Sequence, residues 1–257
     1  MDYLKGKVSL VTGGAGGIGA SICEKLAALG SFVYVCDIKK ADELVDKINN
    51  KYSEERAASM VCDISKKESV EATYQQIKEK RDGVDILVNN AAVYGPLEAR
   101  HFPEISYGDF IKTIQVDLSG AVYFTFLVLP HMRKNGWGRI VFSAAPMSSS
   151  GIPSPYLAGK AGFIGLTKYL SKNFRKDGVW TFALALRHVD TPMIRRVIAS
   201  RGKDVDEGVK AMNKKALTGK MIIPEEIADI YTHFILAPFP NLSGTVIVAD
   251  GGITWLR

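Results

Sequence analysis

Tyr156 and Lys160 stand four residues apart in a stretch of helical character, so they share one helix face. A phenol beside an ammonium is an acid–base device. A free tyrosine ionises near pH ~10, too high for a base at neutral pH. A neighbouring positive charge favours the phenolate. Such a pair can give or take a proton at the oxygen of a reacting alcohol or carbonyl. The spacing alone also occurs on ordinary surface helices. The rest of the chain gives it weight.

Far upstream, Thr12-Gly13-Gly14-Ala15-Gly16-Gly17-Ile18-Gly19 separates the apolar run Val8–Val11 from a helical pattern at Ile18, Ile22, Leu26 and Leu29. A glycine turn between strand and helix lets backbone N–H groups approach a pyrophosphate at the helix N-terminus. Asp37 closes the next apolar run, Phe32–Cys36. A carboxylate there accepts hydrogen bonds from both adenosine ribose hydroxyls and repels a 2′-phosphate, which predicts NAD over NADP. Lys39 and Lys40, just beyond, either soften this preference or are plain exposed lysines at a helix start. A nicotinamide cofactor would supply the hydride that proton exchange at Tyr156 must match.

Together these segments resemble the short-chain dehydrogenase/reductase family. Thr12-Gly13-x-x-x-Gly17-Ile18-Gly19 is similar to its cofactor motif, Asn89-Asn90-Ala91-Ala92 to its Asn-Asn-Ala-Gly, and Tyr156-x-x-x-Lys160 to its Tyr-x-x-x-Lys. Val248-Ala249-Asp250-Gly251-Gly252 resembles its C-terminal signature. The motifs run in order over essentially the whole chain. The resemblance implies a single-domain, Rossmann-type, doubly wound parallel sheet of about seven strands with helices on both faces. It also implies interconversion of a secondary alcohol with a ketone or aldehyde, and a homo-oligomer, tetramer or dimer. By the same resemblance Asp63 meets the adenine, Asn89 the adenosine side and Thr191 the nicotinamide amide, with Ile64 and Ala91 completing the cofactor set.

Three departures from the pattern surround the reacting end. A catalytic serine usually follows the fifth strand. Counting back from Tyr156 lands on Ser143, whereas counting forward from Gly138-Arg139-Ile140-Val141 lands on Ala145, with Ser148 next in reach. Three alternatives stand: Ser143, Ser148 or no serine. Asp117 takes the place of an asparagine, either as a tolerated isostere or as a charge facing Lys160. Leu186-Arg187-His188 replaces the usual Pro-Gly-x. Glycine permits close approach to the nicotinamide. Arg187, with His188 and Arg195 or Arg196, could instead grip an anionic substrate. The same departures leave room for a dinucleotide-binding protein with a remodelled, weakly active or non-redox (isomerase or lyase) site.

The elements that must position these residues are legible as alternating strands and helices. Apolar runs at Val8–Val11, Phe32–Cys36, Ser59–Cys62, Ile86–Val88, Ile140–Phe142, Thr181–Leu186 and Thr245–Val248 predict parallel strands buried on both faces. Helical patterns lie near 40–51, 67–80, 107–134, 155–175 and 224–236. Residues 1–257 read as one domain. The charged, weakly periodic segment near 192–220 reads as a substrate lid. Phe110, Ile114, Leu118, Val122 and Phe126 make a wide apolar helical face suited to the core and to a dimer contact.

The composition agrees. Of 257 residues 47% are hydrophobic and 23% charged, which is globular rather than disordered. The net charge of +6 is scattered without a basic run, against nucleic-acid binding. Cys23, Cys36 and Cys62 form no CxxC pair and the histidines show no ligand spacing, so no disulfide framework and no metal are expected. The N-terminus has no signal-peptide pattern, and the apolar run Ala121–Leu129 is short for a membrane span, so a cytoplasmic location is expected.

Overall fold

The computed structural model describes residues 2–93, 104–147 and 154–253. Seven parallel strands form one sheet: β1 (Val8–Thr12), β2 (Phe32–Asp37), β3 (Ala57–Val61), β4 (Ile86–Asn89), β5 (Gly138–Ala144), β6 (Val179–Leu186) and β7 (Val246–Ala249). Their order is β3-β2-β1-β4-β5-β6-β7. The chain therefore reverses direction across the sheet between β1 and β4. In such sheets ligands bind at that switch point, beyond the carboxyl ends of the strands.

Helices cover both faces because the strand side chains alternate between two cores. On one side α1 (Gly17–Ala28), α2 (Asp42–Asn49) and α9 (Pro224–Leu236) bring Ile22, Leu26, Ile48, Ile227 and Tyr231 against Val11, Val35 and Val141. On the other, α3 (Lys67–Arg81), α5 (Gly120–Lys134) and α6 (Ser154–Phe174) bring Tyr74, Phe124, Val128 and Phe163 against Leu10, Leu87, Ile140, Phe142 and Ala144. Neighbouring residues on β5 thus serve opposite layers, which decides the role of Ser143 below.

The helix expected over 107–134 exists but is broken in its middle. Helix α4 (Tyr107–Ile114) runs into a π-helical turn, Gln115–Ser119, and continues as α5. Such turns frequently occur at functional sites, and this one carries Asp117. The whole segment is apolar enough, by length and composition, to cross a membrane. Here Ala121, Phe124, Val128 and Met132 pack it on the sheet as a core helix. The expected apolar face is corrected accordingly. Core packing falls to Phe124, Val128 and Met132, whereas Phe126 is 67% exposed. The difference is one of rotation: the π turn resets the helical phase.

The segment 192–220 contains two helices, α7 (Pro192–Ser200) and α8 (Val205–Asn213). Val197 and Ile198 are buried, and a parallel bridge from Val189 to Ile222 closes its base.

Helix α6 is fastened through Phe163, whose ring stacks on Phe142 at 4.9 Å between centres. Thr181 Oγ1 donates to the Thr167 carbonyl at 2.7 Å. Phe163→Ala should cost about 3–5 kcal/mol of stability, read as a lowered denaturant midpoint with little change in slope.

Candidate active site

The glycine turn between β1 and α1 is shaped for an anion. Gly13 and Gly17 take φ of +64° and +54°, the left-handed region that glycine enters freely. A Cβ on Gly19 would lie 2.0 Å from the Gly13 carbonyl oxygen. The sharp entry into α1 therefore requires hydrogen at that position. The turn is also anchored from behind. Thr12 Oγ1 accepts from the Asn90 and Ala91 N–H groups at 3.1 and 3.2 Å. Asn90 Nδ2 donates to the Thr12 and Gly13 carbonyls, each at 3.2 Å. Motifs 78 residues apart are thereby joined into one rim.

Asp37 completes that rim. Its Oδ2 accepts from the Ala15 N–H at 3.1 Å and its Oδ1 from the Lys39 N–H at 3.2 Å. The carboxylate is held in place by backbone and still half-accessible at the end of β2. Lys39 and Lys40 are exposed, and Lys40 pairs with Asp42 at 3.4 Å. Asp63 is ordered by Ser65, whose Oγ donates at 2.6 Å, and this bond chiefly holds its carboxyl below the usual range. Ile64 is buried against the start of α5, where a Cβ on Gly120 would lie 2.3 Å from its carbonyl oxygen. Asn89 lies buried at the end of β4, its Oδ1 without a hydrogen-bond partner. Thr191 packs beside Gly17, since a Cβ there would meet its methyl at 3.5 Å, and it caps α7 by accepting from the Ile194 N–H. These residues line one edge of the sheet from β3 to α7. A cradle in which added Cβ atoms would collide, faced by a backbone-held carboxylate, fits a dinucleotide.

At the other end of this edge Tyr156 and Lys160 lie on α6. Lys160 is 1% exposed, with Nζ 5.3 Å from the Tyr156 ring centre and 5.1 Å from that of Phe163. Burial pushes its ammonium below the ordinary lysine value, and the charge of Asp117 opposes that shift. Asp117 is fully buried. Its Oδ1 accepts from the Val93 N–H at 2.7 Å, and its Oδ2 has no hydrogen-bond partner. Burial raises its carboxyl to about 6, against the pull of Lys160 and of the Val93 N–H. Gly159 permits this closeness: a Cβ there would sit 3.0 Å from that of Asp117.

Ser143 does not join this group. On β5, Phe142 and Ala144 face α6, so Ser143 faces α9. There its Oγ hydrogen-bonds the Tyr231 hydroxyl at 2.5 Å and donates to Asn90 Oδ1 at 3.1 Å. The count back from Tyr156 fails because strand parity, not distance along the chain, decides the face. Ala145, 2% exposed, follows the strand where the forward count places the serine. Ser148 lies outside the described residues. Ser143 instead stiffens the chain Tyr231–Ser143–Asn90–glycine turn. No local signal marks Tyr231, 88 residues away.

The Arg187 segment is also rearranged. Among the described residues the left-handed conformation falls on His188, with φ +54°, and not on Arg187. Arg187 is half-buried and its N–H donates to the Ala249 carbonyl at 3.3 Å. Burial, then the charges of Arg187 and Lys215, push the His188 imidazole down to about 4, so it is neutral at pH 7. Arg195 is committed to Asp190 by two contacts of 2.8 Å, and Arg196 is exposed. Among the described residues Arg187 and Arg196 make no ion pair, and Lys215 also acts on this loop.

A family model for short chain dehydrogenases matches residues 7–202. The chain is 32% identical over 255 residues to a 3-oxoacyl-[acyl-carrier-protein] reductase of Aquifex aeolicus, covering 97% of this chain and 98% of that one. The chain belongs to the short-chain dehydrogenase/reductase family. The fold of levodione reductase superposes with a TM-score of 0.91 at 23% identity, covering 99% of this chain and 100% of that one. A protein of Beutenbergia cavernae, assigned as an NAD(P)-dependent gluconate 5-dehydrogenase and holding NADP at low occupancy, superposes at 0.86 with 27% identity over 98% of each chain. As a family member this chain is an oxidoreductase that binds a nicotinamide dinucleotide and acts on a small molecule.

Because the Gly19 Cβ position is filled by the Gly13 carbonyl, Gly19→Ala should abolish NADH binding in a fluorescence titration. Ser143→Ala, by contrast, should leave NADH binding measurable and lower stability by about 1–3 kcal/mol, the cost of losing its two buried hydrogen bonds, to Tyr231 and Asn90.

Proposed function

We propose that this chain is an NAD(H)-preferring, cytoplasmic, homo-oligomeric oxidoreductase that interconverts a secondary alcohol with a ketone or aldehyde. The observation that carries this reading is the Tyr156–Lys160 pair, with a 1% exposed lysine 5.3 Å from the phenol ring, on the sheet edge that holds the glycine turn. The cofactor supplies or accepts the hydride at the substrate carbon. Tyr156 exchanges the matching proton at the substrate oxygen. The charge around Lys160 sets how readily that phenol gives up its proton. Gly13, Gly17, Ile18, Gly19 and Thr12 hold the pyrophosphate. Asp63, Ile64, Asn89 and Ala91 line the adenosine side, and Thr191 the nicotinamide.

The preference for NAD rests on Asp37. Its two oxygens are fixed by backbone N–H groups, so the carboxylate cannot swing away to admit a 2′-phosphate. Arg187 and Lys215 favour a substrate with a carboxylate or other anionic group, under a lid formed by 192–220. Ala145 favours a second reading. Without a hydroxyl to polarise the substrate oxygen, the site would bind dinucleotide and turn over weakly.

Two measurements test the proposal. NADH should bind at least tenfold more tightly than NADPH, and Asp37→Ala should reduce that ratio by about tenfold or more, roughly the effect of unpairing a charged hydrogen bond. Tyr156→Phe should lower turnover with a carbonyl panel by at least about 10²-fold while leaving NADH affinity within about twofold. Equal rates for both proteins would point to a different proton carrier.

A further inference from the structure

We infer that Asp117 is a tuning residue: its buried carboxylate offsets the charge of Lys160, keeps the Tyr156 phenol protonated at neutral pH, and so sets the site for carbonyl reduction. The inference rests on the reading of Tyr156 as the proton carrier.

The geometry leaves Asp117 few other roles. Its side chain is shut off from bulk solvent, at 0% exposure. One oxygen holds the Val93 N–H after β4. The other has no hydrogen-bond partner among the described residues, an uncommon state for a buried oxygen and one that calls for an explanation. An asparagine would hold the Val93 N–H through its amide oxygen without leaving a charge behind. What the carboxylate adds is charge, and the charge that acts on it is Lys160. From α4, Asp109 and Lys112 are the other ionisable side chains of the neighbouring element, and Lys112 is exposed. The first turn of α5 carries no acid.

The sign follows from electrostatics. A lone buried ammonium beside a phenol favours the phenolate. A carboxylate whose charge also acts on that ammonium draws the local net charge toward zero, and the phenol keeps its proton. The carboxyl ionises above about pH 6, so this compensation is in force at neutral pH and is lost in acid. A phenol that keeps its proton is ready to protonate the oxygen of a carbonyl as its carbon is reduced, and afterwards regains a proton from solvent. It is a poor base for the reverse direction. A site lacking a hydroxyl at Ala145 gains from a fully protonated donor, because the substrate oxygen then still receives one strong hydrogen bond.

The test needs no substrate. Ultraviolet difference titration of the protein against its Tyr156→Phe variant isolates the Tyr156 phenolate. The same subtraction is then made in an Asp117→Asn background. The expected result is a midpoint moved toward acid by about one unit or more, since a neighbouring negative charge has been removed. Asp117→Ser should move it the same way, and it serves should Asp117→Asn not fold. A purely structural role would lower the melting temperature and leave the midpoint in place. An unchanged or more alkaline midpoint in both variants overturns the inference. Failure of the reading beneath it looks different: Tyr156→Phe would then retain turnover of carbonyls, whatever the titration showed.

Discussion

A lysine with 1% exposure must have its charge compensated, and much of the architecture around the reacting end follows from that constraint. Isolated burial of an ammonium costs several kcal/mol. The protein meets this with the Asp117 carboxylate, the faces of the Tyr156 and Phe163 rings, and a helix fastened to the sheet by the Phe142–Phe163 stack. The π turn at Gln115–Ser119 lies against the small Gly159, where an added Cβ would sit 3.0 Å from that of Asp117. Loosening any of these would let water in and make the lysine an ordinary surface charge.

The nucleotide end rests on a different principle, which is backbone shape. The glycine turn owes its form to positions where a side chain would strike main chain, and its rigidity to Thr12 and Asn90. Behind them stands the buried line through Ser143 to Tyr231. A buried polar chain of this kind holds position only when each member is satisfied. Asp37 is tied to the same turn, so its carboxylate and the glycine turn form one mechanical unit.

Much of this was legible in the sequence where the signal is local. The seven apolar runs, the glycine turn, Asp37 and the Tyr156–Lys160 spacing each depend on residues close together in the chain. The reading stopped short where the decisive contact is distant. It left Ser143, Ser148 and no serine open, because a count along the chain does not show the strand parity that turns Ser143 toward Tyr231. The apolar face through Phe126 was drawn on an uninterrupted helix, and the π turn rotated the packing onto Phe124 and Val128. Arg187 stands where the family pattern carries glycine, and the backbone places the left-handed residue one position later, at His188. Lys215 and Asp250 meet that loop only through the fold.

The central claim is that these residues carry hydride chemistry with a matched proton. The most direct measurement supplies NADH deuterated at the transferable position, together with a panel of neutral and carboxylate-bearing ketones, and analyses the products by mass spectrometry. The account predicts alcohols carrying one deuterium on the former carbonyl carbon, with keto acids among the better substrates, and no such product from Tyr156→Phe. NADH that binds tightly yet delivers deuterium to no carbonyl in the panel would contradict the account and leave a dinucleotide-binding protein in its place.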